Sequence, residues 1–399
     1  MQSGEDALRA LSIDTTEDRY ERLRLIPWWD QNLLSQAKIL VAGAGALGNE
    51  IIKNLALLGV GNLLIIDFDQ VETSNLSRSV LYRPHDGGKS KAFAAAAMAK
   101  EINSECNIYA LNADITNAVG LGVFRWADVV ICGLDNRVAR LGVNKACWKV
   151  CKPWVDGATE SFQGIVRVFE PPDGVCYECT LSEQDQKLMA IRNSCGFIAK
   201  EAHRQGRTPT TPTTSAVIAG IEVQEAIKLL HKDDELPNLI NKGFFFDGNS
   251  YDCFTIEYMR KDDCISHETY DCIVESNLRS DKATLEDVRK EAEKYLDGEI
   301  VLDLPSEMVT ELRCSECNSK EEWHRLLNTV DEETAKCPSC GKLRVPEVVS
   351  ECGENSPFTA IPLAELGFGL MDILTARSDE KEIHIEISGD FPFVFGEKR

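Results

Sequence analysis

Hydrophobic and polar positions follow two rhythms over the first two thirds of this chain. The short apolar runs Ile39–Ala42, Leu63–Asp67, Ile108–Asn112 and Val129–Cys132 are continuous rather than alternating, as expected for strands buried on both faces. Between them, Leu47–Leu58 and Ala92–Ile102 carry helical spacing. Strand and helix take turns, so the pattern predicts an α/β fold with a Rossmann-like doubly wound sheet over residues 39–275, preceded by an N-terminal arm and helix over residues 1–38. Pro153–Ala158 and Gly164–Phe169 read as further strands, Thr214–His231 as an amphipathic helix opened by a threonine cap, and Gly243–Gly248 with Cys253–Tyr258 as a hairpin. From about residue 276 the rhythm changes. Leu285–Tyr295 is a charged helix and Glu382–Ile387 alternates as a half-exposed strand, which predicts a small C-terminal α+β domain over residues 276–399.

Composition adjusts this picture only modestly. A chain of 399 residues suggests two or three domains, and 43% hydrophobic residues is ample for a core. No apolar run approaches the ~20 residues of a membrane span. A net charge of −22 disfavours nucleic acid as a partner, because phosphate backbones would be repelled, and suits a basic protein.

The first strand–helix turn, Gly43-Ala-Gly45-Ala-Leu-Gly48, carries the candidate chemistry. Gly43 permits a tight turn, Gly45 lets backbone approach a phosphate, and Gly48 lets the helix pack on the strand. The helix then directs its N–H groups and dipole at an anion. Asp67 follows about 20 residues later, where a carboxylate can bind a ribose hydroxyl. Up to this point a nicotinamide enzyme fits as well, and turn glycines without any ligand remain open. Arg78 and Lys91 separate the options. Hydride transfer has no use for them, whereas phosphoryl or adenylyl transfer must neutralise charge at the reacting phosphate. Asp135, at the carboxyl end of a buried strand, suits a hard cation such as Mg2+. Singly, Arg78 or Lys91 reads as a solvated surface charge and Asp135 as a helix cap. Their order together points to a triphosphate.

Gly43–Gly48, Asp67-Phe-Asp69-Gln-Val71, Ser74-Asn75-Leu-Ser-Arg78, Gly88-Lys-Ser-Lys91 and Leu134-Asp135-Asn136 resemble the ubiquitin-activating-enzyme family. That family includes the bacterial adenylyltransferases for molybdopterin-synthase and thiamine sulfur carriers, and the resemblance runs from Arg19-Tyr20 to about His267. It implies ATP bound with Asp67 on the ribose, Asn75, Arg78 and Lys91 on the triphosphate, and Mg2+ on Asp135, with Asp69 also among the nucleotide-binding residues. Arg19-Tyr-Glu-Arg22 is similar to the family's N-terminal arginine motif, so Arg22 is expected to reach the ATP of the opposite subunit of a homodimer. Ser79 departs from the family, which has Arg or Gln there. The implied reaction is adenylation of the C-terminus of a ubiquitin-like, β-grasp protein, with the carboxylate as its own nucleophile. Catalysis then rests on positioning and charge neutralisation.

Fifteen cysteines, and a Met1–Ala10 segment without an apolar leader, predict a cytoplasmic chain whose clustered cysteines bind metal rather than form disulfides. Cys314-Ser-Glu-Cys317 and Cys337-Pro-Ser-Cys340-Gly341 have the spacing of a zinc ribbon over about residues 311–345. Cys176-Tyr-Glu-Cys179 is half of another tetrahedral site. In the family its mate is a second CxxC, and here that place holds Cys264-Ile-Ser-His267, so a structural Cys3His zinc site is expected. An unligated surface His267 is the alternative. Cys195, before a basic stretch that looks like the family's crossover loop, is the candidate for a thioester or persulfide, with a bystander cysteine as the equal alternative. Cys106, Cys132, Cys147 and Cys151 read as small buried hydrophobes.

Three functions follow. The first is activation of a ubiquitin-like modifier, with transfer to a conjugating enzyme. The second is adenylation of a sulfur carrier in molybdopterin or thiamine synthesis. The third is a non-catalytic modifier-binding subunit, disfavoured by the full set of Arg78, Lys91 and Asp135. The extra C-terminal module favours the first.

Overall fold

The computed structural model describes residues 19–182, 209–233, 235–379 and 381–396. The first sheet has eight strands: β1 (Lys38–Ala42), β2 (Asn62–Ile66), β3 (Asn107–Leu111), β4 (Val129–Cys132), β5 (Trp154–Glu160), β6 (Gln163–Phe169), β7 (Lys242–Asp247) and β8 (Asp252–Glu257). Their order is β3-β2-β1-β4-β5-β6-β7-β8. The first five are parallel, and β6 to β8 join antiparallel. The order in which strands are added reverses between β1 and β4, the crevice where open α/β sheets bind ligands.

Continuous apolar runs become two-sided strands, as their pattern demands. Ile39 and Val41 of β1, Leu63 and Ile65 of β2, and Val129 and Ile131 of β4 enter one core. Leu40, Ala42, Leu64, Ile66, Val130 and Cys132, their alternates, enter the other. Helices α1 (Gln31–Gln36), α2 (Ala46–Leu58) and α3 (Lys91–Ile102) contribute to the first core, as does the later helix α6 (Pro212–His231). On the opposite face lie α4 (Leu121–Trp126) and α5 (Arg137–Lys149). Thr211 caps α6 by accepting from the Thr214 amide at 3.2 Å, and Pro212 follows at a position that needs no donor.

A second sheet comprises β9 (Ile273–Glu275), β10 (Val301–Arg313), β11 (Lys320–Leu326), β12 (Val345–Cys352), β13 (Ile373–Arg377) and β14 (Glu382–Glu386). The strand order is β11-β10-β13-β14-β9, with β12 also paired to β10. Helix α7 (Leu285–Ala292) covers it, opened by a Thr284–Asp287 capping box.

The two sheets share a core rather than a linker. Helix α8 (Phe391–Phe395) drives Phe395 between Trp126, stacked at 4.3 Å, and Tyr109, edge-on at 5.2 Å. Met371, Ile373 and Val394 join the α4–α5 core. Arg125 donates to Glu275 at 2.9 Å and to Glu386 at 2.8 Å across the seam.

The expectation of a half-exposed strand at Glu382–Ile387 is not met. β14 lies between β13 and β9 with Ile383 to Glu386 all buried. His384 stacks on Tyr270 at 3.7 Å and lies 3.0 Å from the Thr375 hydroxyl, and Glu386 meets Arg125, so paired polar side chains produced the misleading alternation. Cys151 is exposed with φ +50°, unlike the buried Cys106, Cys132 and Cys147.

Candidate active site and cysteine clusters

Backbone packing explains why the turn after β1 requires glycine. Gly43 has φ +91°, and a Cβ there would stand 2.8 Å from the Gly133 carbonyl oxygen. A Cβ on Gly48 would stand 2.0 Å from the Gly43 carbonyl oxygen, so α2 and the end of β1 meet backbone to backbone. Gly45, which caps α2, differs: a Cβ there would meet nothing within 4 Å. Space is therefore open over the Cα of Gly45 at a helix N-terminus, a cradle suited to an anion.

Asp67, directly after β2, closes the cradle. Its carboxylate accepts from the Ala44 amide at 2.7 Å and the Asp69 amide at 2.8 Å. Burial raises its pKa, while Lys91 and the two amides oppose the rise. Lys91 opens α3 and donates to Asp69 at 2.7 Å, so Asp67, Asp69, Lys91 and the glycine turn come together. Asn75 is buried in a short turn of helix, its side-chain oxygen accepting from the Glu72 amide at 2.9 Å. Arg78 ends that turn and donates to the Ser74 carbonyl at 2.7 Å. Asp135 lies between β4 and α5 with an exposed carboxylate, 3.4 Å from the Asn136 amide nitrogen. Arg22 is exposed at the N-terminal edge. Cys195 lies outside the described residues.

Two groups of residues were not anticipated. Asn49 donates to the Ala44 carbonyl at 2.6 Å and the Gly45 carbonyl at 3.0 Å, and accepts from the Leu81 amide. Tyr82 donates to the same Ala44 carbonyl at 2.6 Å, and burial pushes its phenol well above the ordinary range. Asn49 lies on α2 among core positions, and a polar residue within such an apolar helix was the available signal. The second group is a buried charge cluster under the sheet's carboxyl ends. Asp156 accepts from Arg140 at 2.7 Å and from Arg167 at 2.6 Å. Beside it, burial and the Asp156 charge push the Glu222 carboxyl well above the usual carboxylate range.

Cysteines assemble at two places. Cys176 Sγ lies 3.6 Å from Cys179 Sγ and 3.5 Å from Cys264 Sγ, and Cys179 Sγ lies 3.4 Å from His267 Nε2. The His267 ring packs on Trp148 at 4.4 Å. In the second group Cys314 is 3.5 Å from Cys340, and Cys317 is 3.6 Å from Cys337. Within each group all four ligand atoms lie within 4.8 Å of one another. A tetrahedral ion with Zn–S bonds of about 2.3 Å needs ligand separations of roughly 3.8 Å. Both clusters therefore have the donors and the dimensions to hold zinc. Among the described residues, no helix is long and apolar enough to cross a membrane.

A doubly wound sheet with a glycine turn at a helix N-terminus, a buried aspartate after the second strand and a lysine on the next helix is the arrangement of nucleotide-binding α/β proteins. The ThiF family model matches residues 18–266, and the chain belongs to the ThiF family. It is 32% identical over 265 residues to the SAMP-activating enzyme E1 of Haloferax volcanii, covering 64% of this chain and 90% of that one. It is 38% identical over 174 residues to the NEDD8-activating enzyme E1 catalytic subunit of Caenorhabditis elegans, where the match covers 39% of this chain but only 40% of the nematode protein. With the sulfur carrier protein adenylyltransferase of Thermus thermophilus it shares 36% over 170 residues, 41% of this chain and 63% of that one. The fold is similar to that of E. coli MccB solved with ATP, with a TM-score of 0.53 and 24% identity, covering 64% of this chain and 75% of that one.

Proposed function

We propose that this chain uses ATP to adenylate the C-terminal carboxylate of a small ubiquitin-like protein. The observation that carries the reading is the cradle itself: Gly45 facing open space at the α2 N-terminus, with Asp67 and Lys91 brought to its rim. It is supported by membership in the ThiF family over residues 18–266. The α2 N-terminus would receive phosphate oxygens, and Asp67 the ribose. Lys91, released from Asp69, and Arg78 would neutralise charge on the triphosphate, assisted by Arg22 from a second copy. Mg2+ held at Asp135 would add charge neutralisation there. The carrier carboxylate is ionised at neutral pH, so its attack on the α-phosphorus, with departure of pyrophosphate, needs no general base. Cys195 is assigned to accept the activated tail. The Cys176–Cys179–Cys264–His267 and Cys314–Cys317–Cys337–Cys340 clusters would each hold structural zinc, the second within a ribbon available for a conjugating enzyme.

A second reading is sulfur-carrier adenylation for molybdopterin or thiamine synthesis, favoured by the likeness to the Thermus thermophilus adenylyltransferase. Incubation with ATP, Mg2+ and β-grasp proteins ending in Gly-Gly, followed by intact mass spectrometry, tests both. An AMP adduct on the carrier supports adenylation. Subsequent transfer to an enzyme cysteine, and on to a conjugating enzyme once one is added, favours the modifier, whereas carrier thiocarboxylate formed when added sulfide displaces AMP from the adenylate favours the sulfur route. No adduct with any carrier would refute the proposal.

A further inference from the structure

The buried cluster beneath the candidate site has no part in the reaction outlined above, yet it grips the loop on which that reaction depends. Arg140, on the first turns of α5, is 7% exposed. Its Nε donates to Asp156 Oδ1 at 2.7 Å, and its Nη2 donates both to the Leu134 carbonyl at 2.6 Å and to the Gly157 carbonyl at 2.9 Å. Leu134 immediately precedes Asp135. One guanidinium therefore spans from the middle of β5 to the backbone that carries the Asp135 side chain.

The groups that bond the guanidinium are themselves held in place. Asp156 is fully buried, and its other oxygen accepts from Arg167 at 2.6 Å, so it cannot swing away. Arg167 in turn lies over the Tyr177 ring at 5.0 Å. Glu222 is fully buried against Gly157, where a Cβ would stand 2.4 Å from its Oε2. Asp135 itself stands outside regular structure, with β4 ending at Cys132 and α5 beginning at Arg137. On one side its loop is anchored by the Gly133 amide donating to the Ala42 carbonyl at 2.8 Å. On the other, Asn136 accepts from the Ala139 amide at 2.7 Å. The Arg140–Leu134 bond supplies the third anchor, from below, while the Asp135 carboxylate stays exposed above.

From this geometry we infer that Arg140, fixed by Asp156, is a positioning residue that aims the Asp135 carboxylate at the cation accompanying ATP. The inference rests on the reading of Asp135 as the metal carboxylate. A guanidinium serves because its planar fork meets three acceptors in different directions at once; an ammonium would keep the Asp156 pair and lose the reach to Leu134. From there β5 leads on to Thr159, 2.9 Å from the Thr210 hydroxyl, and to Ser161, whose amide donates to the Pro209 carbonyl at 2.6 Å. The cluster thus also holds the strand to which the chain returns after residues 183–208.

The test is calorimetric titration of Mg2+ into full-length protein saturated with α,β-methylene-ATP, repeated for Arg140→Lys, Arg140→Gln and Asp135→Asn. Carrier-stimulated ATP–pyrophosphate exchange is measured in parallel as a function of Mg2+. For Arg140→Lys the Mg2+ dissociation constant should rise about tenfold, with exchange restored at high Mg2+ and the KM for carrier unchanged. Arg140→Gln should show the larger shift. If Arg140→Gln is insoluble, Arg140→Lys alone decides, because it retains the buried ion pair. Mg2+ affinity within twofold of wild type in Arg140→Lys, while Asp135→Asn loses binding, overturns the positioning role only. Unchanged Mg2+ binding in Asp135→Asn overturns the metal assignment beneath it.

Discussion

The glycine-cradle end of the first sheet and the ribbon end of the second are built on opposite plans. Around the cradle, buried strands β1, β2 and β4 form an apolar frame that needs no added group, and the candidate charged residues Lys91, Arg78 and Asp135 stand at its rim. At the ribbon, β10 and β12 run out beyond the main core onto a small cluster of Val309, Leu312, Val330 and Ala335. β12 is exposed along nearly its whole length, and Cys317 and Cys340 are exposed too. So few apolar contacts cannot offset the entropy of ordering that segment, and the four cysteines become its main fastening. The comparison teaches that side-chain loss at the first end should remove chemistry and spare the fold, while at the second it should remove structure and spare the chemistry.

The sharpest contrast comes from Lys91→Ala. Loss of a cation at the reacting phosphates should lower carrier-dependent exchange by about 10²–10³-fold with the melting temperature little changed. A large drop in melting temperature instead would blur the distinction between frame and rim. Next in size is the seam between the two regions. Phe395→Ala deletes the ring stacked on Trp126 and should cost about 3–5 kcal/mol in denaturant unfolding. Separate unfolding of the second sheet before the first would then appear as a second transition.

Gly48→Ala probes the frame where it does touch chemistry. A methyl group 2.0 Å from the Gly43 carbonyl forces the turn open, at about 1–3 kcal/mol, and nucleotide affinity should fall with it. Unchanged affinity by calorimetry would detach the glycine packing from the anion cradle. Cys340→Ser should expose β10–β12 amides to hydrogen exchange while leaving exchange of pyrophosphate into ATP within about twofold of wild type; protection retained at those amides would show that the ribbon stands without its cluster.

The smallest expected effect is a slope in pH. Burial raises Asp372, at the seam, to about 6, against roughly 3.9 in an unfolded chain. The native state then holds more protons than the unfolded state between those values. Stability from this group is highest below pH 4, declines as pH rises to about 6, and levels above it. Asp372→Asn should flatten that decline in urea midpoints measured from pH 4 to 7.

The same contrast explains what was legible in the chain. Strands β1, β2 and β4 were readable because parallel strands buried on both faces admit no polar residue. The CxxC pairs were readable because their spacing carries tetrahedral ligation, while Cys264 and His267 came from the family resemblance as the mate of Cys176 and Cys179, and the four assemble across 88 residues of chain. Residues whose polarity is cancelled by a distant partner were not. Glu386 looks solvent-facing until Arg125, 261 residues away, is seen beside it. Arg140 and Asp156 are equally silent, since a lone arginine on a helix and a lone aspartate on a strand carry no mark of each other. Asn49 and Tyr82 serve through backbone carbonyls of the turn, and only the polar Asn49 among the core positions of α2 hinted at it.

Isotopic exchange of pyrophosphate into ATP, compared between a Gly-Gly carrier with a free C-terminal carboxylate and the same carrier amidated at that end, tests the central claim most directly. Exchange that appears only with the free carboxylate is the predicted result. Equal exchange with both carriers, or none with either, would contradict adenylation of a protein C-terminus at this cradle.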